Sequence, residues 1–163
     1  HLGDVIINKA SVRMDGASKN YAPVEYPGIA DLETTMELKQ AAAELGISCH
    51  MGISVSTDSF WPGQERYDSF GGYVLRRLQG SMDEFRHLGC TNYEMENATL
   101  FTVTSVLGLK ASSLCGVVAQ RTSGEAVASR DVYLQAEEKF RKIVRKMLEN
   151  RSNAGENRLE GAD

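Results

Sequence analysis

The segment Phe60-Trp61-Pro62-Gly63-Gln64-Glu65-Arg66 holds the residues best suited to recognising a flat, polar molecule. A glutamine amide both donates and accepts, and a guanidinium donates from several hydrogens. In an extended chain Gln64 and Arg66 point the same way. Together they match a planar edge carrying carbonyls and an N–H, as a pyrimidine such as uracil presents. Phe60 offers a flat apolar ring for stacking, and Trp61 is expected to plug the edge of the core. The plainer alternative is a solvated loop, with Glu65 and Arg66 paired to surface neighbours.

A second cluster follows at Tyr93-Glu94-Met95-Glu96. A carboxylate is a natural bidentate acceptor for the paired hydroxyls of a ribose, and an unbranched methionine can lie along the flat sugar. Glu94 and Glu96 are two apart, so their side chains diverge unless the turn is irregular. The competing reading makes one of them a cap that meets the dipole of a helix. The third stretch is Val118-Ala119-Gln120-Arg121, where a charge follows an apolar strand. Such a charge is costly unless paired or bound to a ligand, so Arg121 is expected to reach the same base edge or to brace a carboxylate. Gly124, within the polar segment 121–130, suggests a cover that excludes water and so favours transfer to phosphate over hydrolysis.

Other chemistries find less support. His1, His50 and His87 are scattered, without metal-ligand spacing. Ser54, Ser56 and Ser59 lie outside any nucleophile-elbow sequence, and no glycine-rich phosphate loop is present. Neither covalent catalysis nor a metal is indicated.

The elements that must position these residues can be read from the pattern. Val5-Ile6-Ile7 is an expected buried strand, with 10–12 extending it or forming the next. Residues 15–18 form a turn, and 19–30, with Pro23 and Pro27, should be irregular. A helix is expected over 32–45, capped by Asp31 and stopped by Gly46. A strand follows over 50–57, a loop over 58–71, a helix from a Ser81 cap, a short extended piece over 90–93 and a helix over 95–107. Residues 111–118 form an apolar run expected to be a central strand covered on both faces. The last helix runs from about Ser129 or Asp131 to Asn150, and 151–163 read as a polar, mobile tail. This alternation predicts an α/β fold, with ligands beyond the carboxyl ends of the strands. The three loops already singled out are the ones at that edge.

Composition sets the outer limits. The 163 residues are 42% apolar and 25% charged, with a formal net charge of -4, ordinary for a soluble domain with its own core. There is no basic excess to suggest nucleic acid. The basic run Lys139, Arg141, Lys142, Arg145 and Lys146 alternates with apolar residues, as on the wet face of an amphipathic helix. Cys49, Cys90 and Cys115 are odd in number and widely spaced, which predicts buried free thiols in a reducing compartment rather than a disulfide framework. No apolar run reaches bilayer length. The expectation is a cytoplasmic protein with no membrane partner.

Four strings carry a resemblance to a known family: 10–31 (ASVRMDGASKNYAPVEYPGIAD), 56–68 (STDSFWPGQERYD), 80–101 (GSMDEFRHLGCTNYEMENATLF) and 116–122 (GVVAQRT). Together they resemble the nucleoside phosphorylases, in particular the bacterial branch that cleaves uridine, from about Gly3 to Leu148. The resemblance implies a three-layer α/β/α sandwich with a mixed central sheet, of which 1–150 are the C-terminal portion. It implies reversible phosphorolysis of uridine to uracil and ribose 1-phosphate, with phosphate as co-substrate and no cofactor. By the same resemblance Phe60 stacks near the pyrimidine, and Gln64 and Arg66 bind its edge with Arg121 in support. Glu94, Met95 and Glu96 line the ribose, Glu96 taking the 2′-hydroxyl, and Tyr93 backs the sugar. Val118 and Ala119 form an apolar wall. Arg66, Arg121 and Glu96 are the residues implied in catalysis. Purine-cleaving relatives carry an acid near the last strand, where this chain reads Ala119-Gln120-Arg121, which favours a pyrimidine. The family's phosphate-binding segment precedes the part matched here. Its sites are shared between subunits, which implies a homo-oligomer, a dimer or a hexamer of dimers. The alternatives are a purine nucleoside phosphorylase and a catalytically inactive nucleoside-binding subunit.

Overall fold

The computed structural model describes residues 1–121 and 124–160, with side chains through 154. Seven strands and four α-helices alternate along these residues. In order they are β1 (Val5–Met14), β2 (Gly28–Ile29), α1 (Leu32–Glu44), β3 (Cys49–Thr57), α2 (Ser81–His87), β4 (Cys90–Glu94), α3 (Asn97–Val106), β5 (Ser113–Gly116), β6 (Ala119–Gln120), β7 (Ala126–Val127) and α4 (Arg130–Glu160). The main sheet runs β2-β1-β3-β4, with β5 also pairing β1, and β6 and β7 form a separate ladder. The β1–β2 pair is antiparallel and the β3–β4 pair parallel. The expected α/β class with a mixed sheet is therefore what the chain adopts.

The chain forms two compact units. One comprises His1–Ile7, Glu33–His50 and the chain from Leu114 onward; the other comprises Asn8–Leu32 and Met51–Ser113. In the first, Val5, Ile7, Ala41 and Ile143 are fully buried, with Leu38, Ala42, Ala136 and Met147 nearly so. Ala136, Ile143 and Met147 fall on one face of α4, with Arg141, Lys142 and Arg145 exposed on the other, as the amphipathic pattern requires, while Lys139 donates to the Gly3 carbonyl at 2.9 Å. Burying the valine, leucine, isoleucine and methionine side chains contributes about 1.5–3 kcal/mol each. In the second unit the apolar core is Val55, Val74, Leu78, Ala98 and Phe101.

Several elements differ from the sequence expectation. Of the two alternatives for 10–12, extension holds, since β1 is one ten-residue strand, whereas the stretch 19–30 contains the end of a short 3-10 turn and β2. β5 covers only Ser113–Gly116 and is half-buried throughout, so it is not a central strand covered on both faces. One covered side is explained by α4. A Cβ on Gly116 would lie 3.0 Å from the Phe140 ring and 3.3 Å from the Ala136 side chain. At α2 the capping position is Gly80, not Ser81. The helix α4 continues through Glu160, past Asn150. Arg151 there donates from Nε to Glu37 at 2.7 Å and from Nη2 to Thr34 at 3.2 Å, which ties the next turn to α1. The three cysteines are free and half-buried rather than buried. Burial pushes the Cys49 and Cys90 thiols up from their ordinary range. Among the described residues no helix is long and apolar enough to cross a membrane.

The loop after β1 is held by two buried charges. Arg13, 8% exposed, donates to Ser18 Oγ and to the carbonyls of Ala22, Pro23 and Tyr26. Asp15, 2% exposed, accepts from the Ser18 N–H, the Ser18 hydroxyl and the Thr99 hydroxyl, all at 2.7 Å. Burial pushes Asp15 up, but those hydrogen bonds outweigh it and leave the carboxyl below its usual 3.8. A carboxylate depressed by folding stabilises the native state above the unfolded value and loses that contribution as pH falls through the folded value. Asp15→Asn is therefore expected to lower Tm at pH 7 and to flatten the fall in Tm below about pH 4. Thermal melts from pH 3 to 7 check this, and parallel acid limbs in variant and parent would contradict it.

Candidate functional site

The Phe60–Arg66 loop belongs to the second unit and begins where β3 ends. Its backbone turns at once: Glu65 N–H donates to Pro62 O at 3.2 Å and Arg66 N–H to Trp61 O at 2.8 Å. Gly63 is required by space, since a Cβ there would meet the Ser59 carbonyl at 2.5 Å. The loop is thus a tight turn rather than extended chain. Gln64 and Arg66 nonetheless lie together in burial, 6% and 4% exposed, because the turn folds both inward. The solvated-loop alternative does not describe them.

The apolar part of the loop is the exposed part. Phe60 is 44% and Trp61 47% exposed, so Trp61 does not plug the core edge. The two rings stand edge to face, centroids 5.2 Å apart. The Arg66 guanidinium carbon lies 4.2 Å from the Phe60 ring centroid, within cation–π range. A half-open aromatic face thus sits directly against a buried planar cation. That pairing can receive a flat ligand on the ring while offering donors to its edge.

Glu65 is the residue that sequence reasoning missed. It has φ +52°, the one non-glycine with positive φ among the described residues, a conformation costing about 1–2 kcal/mol for an L-residue. Its carboxylate accepts from the Gly80 N–H at 2.6 Å and the Met82 N–H at 2.8 Å, at the start of α2. The Tyr67 hydroxyl donates to it at 3.3 Å. The only local signal was an acidic residue just after Pro62-Gly63, and nothing in the spacing pointed to a partner fifteen residues on.

The Tyr93–Glu96 cluster lies at the β4–α3 junction in the same unit. The β3–β4 register slips between Ile53 and Ser54, whose partners are Cys90 and Asn92. An extra residue of this kind re-aims the side chains beyond it, and it brings Glu94 opposite Ser56. Glu94 Oε1 accepts from Ser56 Oγ at 2.5 Å and from Ser11 Oγ at 3.2 Å. Its Oε2 accepts from the Glu96 N–H at 2.7 Å and the Asn97 N–H at 2.6 Å. Ser56 Oγ in turn accepts from the Ala98 N–H at 2.8 Å and shares a 2.7 Å hydrogen bond with Ser11 Oγ. Glu94 therefore satisfies the first turn of α3 through Oε2, as the capping reading supposed for one of the pair.

Glu96 differs. It occupies the N-cap position of α3, but its side chain makes no capping bond. Its carboxylate is exposed and accepts the Met95 N–H at 3.1 Å. Met95 is 37% exposed beside it. Tyr93 is half-buried and stands edge to face with Phe85, centroids 6.4 Å apart. The two serines had no sequence signal as partners of a glutamate, because β1, β3 and β4 are far apart in the chain.

The remaining predicted residues belong to the first unit. Ala119 pairs with Val127 in the β6–β7 ladder, and Val118, 41% exposed, accepts the Ala128 N–H through its carbonyl at 2.8 Å. Arg121 follows β6 and is half-buried. It follows a two-residue strand rather than the apolar strand expected. Gly124 has φ +98°, while Thr122 and Ser123, within the segment expected to form a cover, lie outside the described residues. Among the described residues no group of three His, Cys, Asp or Glu could hold a metal ion.

Comparison with known proteins bears on what this geometry serves. A family profile described as "Phosphorylase superfamily" matches residues 1–149. The chain is 45% identical over 144 residues to the uridine phosphorylase of Escherichia coli K12, which covers 88% of the chain and 56% of that relative. It is 42% identical over 156 residues to the uridine phosphorylase of Thermococcus kodakarensis, covering 94% of the chain and 56% of that relative. A guanosine phosphorylase from Halorubrum lacusprofundi is more distant, 28% identical over 123 residues, covering 76% of the chain and 45% of that relative. The chain spans about half the length of the curated relatives it matches.

Proposed function

Because this chain belongs to the phosphorylase superfamily, we propose that it carries the base- and ribose-recognising part of a uridine phosphorylase, whose whole polypeptide converts uridine and phosphate to uracil and ribose 1-phosphate. The observation that carries this reading is the buried Arg66 guanidinium against the half-exposed Phe60 ring, with Gln64 buried in the same turn. Phe60 supports the pyrimidine face, and Gln64 and Arg66 meet its carbonyl and N–H edge. Glu96, whose carboxylate is exposed and not used for capping, takes the ribose 2′-hydroxyl, with Met95 along the sugar. Glu94 and Tyr93 support this side, Glu94 by holding the turn that presents Glu96. Family resemblance assigns Val118 and Ala119 to an apolar wall and Arg121 to the support of the base.

In the proposed reaction a phosphate oxygen bonds to C1′ as the C1′–N1 bond breaks. The electron pair of that bond leaves with uracil and spreads onto its carbonyl oxygens. Donors fixed at the base edge before the reaction stabilise that charge as it develops, with no reorganisation cost. Gripping the ribose through Glu96 aligns C1′ with the nucleophile. Phosphate is the co-substrate, and no cofactor takes part. A homo-oligomer with a subunit-shared site and a cytoplasmic location belong to the same proposal.

A purine-cleaving enzyme is the second reading, supported by the likeness to a guanosine phosphorylase. The Ala119-Gln120-Arg121 stretch argues against it, since it offers no acid to protonate a purine. The test is base release by the full-length polypeptide from uridine and inosine, each with and without phosphate. Phosphate-dependent release of uracil, with inosine cleaved far more slowly, is the expected result. Preferential hypoxanthine release would replace the pyrimidine reading with the purine one, and no release would leave a nucleoside-binding subunit.

A further inference from the structure

We infer that Glu65 is a positioning residue for base recognition, and that its anchorage on Gly80 and Met82 is what turns Gln64 and Arg66 toward the ligand. This rests on the proposed base site but adds a residue that touches no substrate in it. Three observations converge. Glu65 sits between the two edge-reading residues and adopts positive φ, 52°, where a glycine would be unstrained. Its two carboxylate oxygens divide between two backbone N–H groups, at 2.6 and 2.8 Å, so the side chain is fixed in direction as well as distance. The residues on either side are 6% and 4% exposed. A backbone at positive φ bends the chain sharply between its neighbours, and both neighbours are buried. The carboxylate holds that bend in place against the preference of an L-residue to leave it.

The consequence is specific. Loss of the carboxylate frees the turn to relax, and Gln64 and Arg66 then lose their common aim while their chemistry is intact. Uridine recognition should suffer more than phosphate recognition.

The test uses the full-length protein and the variants E65A, E65Q and E65G. Glu65→Ala is expected to raise KM for uridine about tenfold with KM for phosphate little changed. Glu65→Gln, which keeps one neutral acceptor, should fall between Ala and the parent. Glu65→Gly removes the backbone strain together with the carboxylate, so it separates the two roles. It should regain thermal stability relative to Ala but not uridine affinity. Hydrogen exchange followed by mass spectrometry adds a readout independent of turnover: peptides covering 60–68 and 79–83 should exchange faster in E65A, with the α3 peptides unchanged. Parent-like uridine KM in E65G, or equal changes in both KM values, would overturn the positioning role and leave only a structural staple. Unchanged exchange in both segments of E65A would overturn it whatever the substrate. Absence of uracil release by the parent would instead overturn the base-site reading, with the exchange data still deciding whether Glu65 sets the loop.

Discussion

Arg66→Ala in the full-length protein is expected to lower kcat/KM for uridine by about 10²–10³-fold, the scale of removing one preorganised donor from a developing anion. The size of the effect follows from where the guanidinium lies. It is 4% exposed and sits 4.2 Å from the Phe60 ring centroid, so its field acts in a poorly hydrated setting, where charge interactions are stronger than in water. The loss should fall on kcat as well as on KM, because uracil carries far more negative charge as it departs than it does in bound uridine. Arg66→Lys should not restore the rate. An ammonium cannot reproduce a planar, multi-donor edge or lie flat against an aromatic ring in the same way. Steady-state kinetics of the three proteins decide the matter, and a variant within about twofold of the parent would remove Arg66 from the base site.

The second large effect separates two carboxylates that the sequence presents as equivalent. Glu96→Ala is expected to cut uridine turnover by about 10²-fold, through loss of ribose alignment, while Tm stays near that of the parent. Its carboxylate is exposed and supports no helix end. Glu94→Ala should lose activity and stability together. It strands the Ser56 hydroxyl and the N–H groups of Glu96 and Asn97, which now donate to that carboxylate. Unsatisfied donors at a partly buried site of this kind destabilise by about 2–4 kcal/mol in total. Kinetics and thermal melts on the pair give the readout. Equal destabilisation by both substitutions would mean that Glu96, too, is structural. Full activity in Glu96→Ala would end its ribose role.

The contrast between these carboxylates bears on how a site of this type is built. The sheet supplies hydroxyls from β1 and β3 to one glutamate, which closes the start of α3. The closed turn then presents a second glutamate, Glu96, whose carboxylate is exposed and makes no capping bond. A similar division operates in the Phe60–Arg66 loop, where Glu65 spends its carboxylate on backbone N–H groups while Gln64 and Arg66 flank it. In both places an acidic residue whose carboxylate is engaged by two backbone N–H groups sits next to the residues proposed to meet substrate. Preorganisation of this sort is what lets donors act on a transition state without moving first.

Much of the local order was legible in the residues themselves. The helical stretch ending at Gly46, the strand over 50–57 and the amphipathic pattern of the last helix follow from propensity, periodicity and glycine stops, which depend on near neighbours only. The same is true of the two clusters: Gln64 with Arg66, and Glu94 with Glu96, are close in the chain and stand at strand ends, where ligands of α/β sheets bind. Tertiary structure decided what each does. Whether Gln64 and Arg66 were solvated or buried could not follow from composition, because their burial depends on a turn anchored at Gly80 and Met82. Which of Glu94 and Glu96 caps α3 depends on a register slip in the β3–β4 pair and on serines from two other strands. The exposure of Trp61 and the half-burial of β5 likewise depend on what packs against them. Chain neighbours set backbone preference, and so the sequence by itself determined the elements and the chemistry available at their ends. Burial and hydrogen bonding are set by groups distant in the chain, and so only the folded structure showed which of these charged groups are buried and which carboxylate holds a helix end.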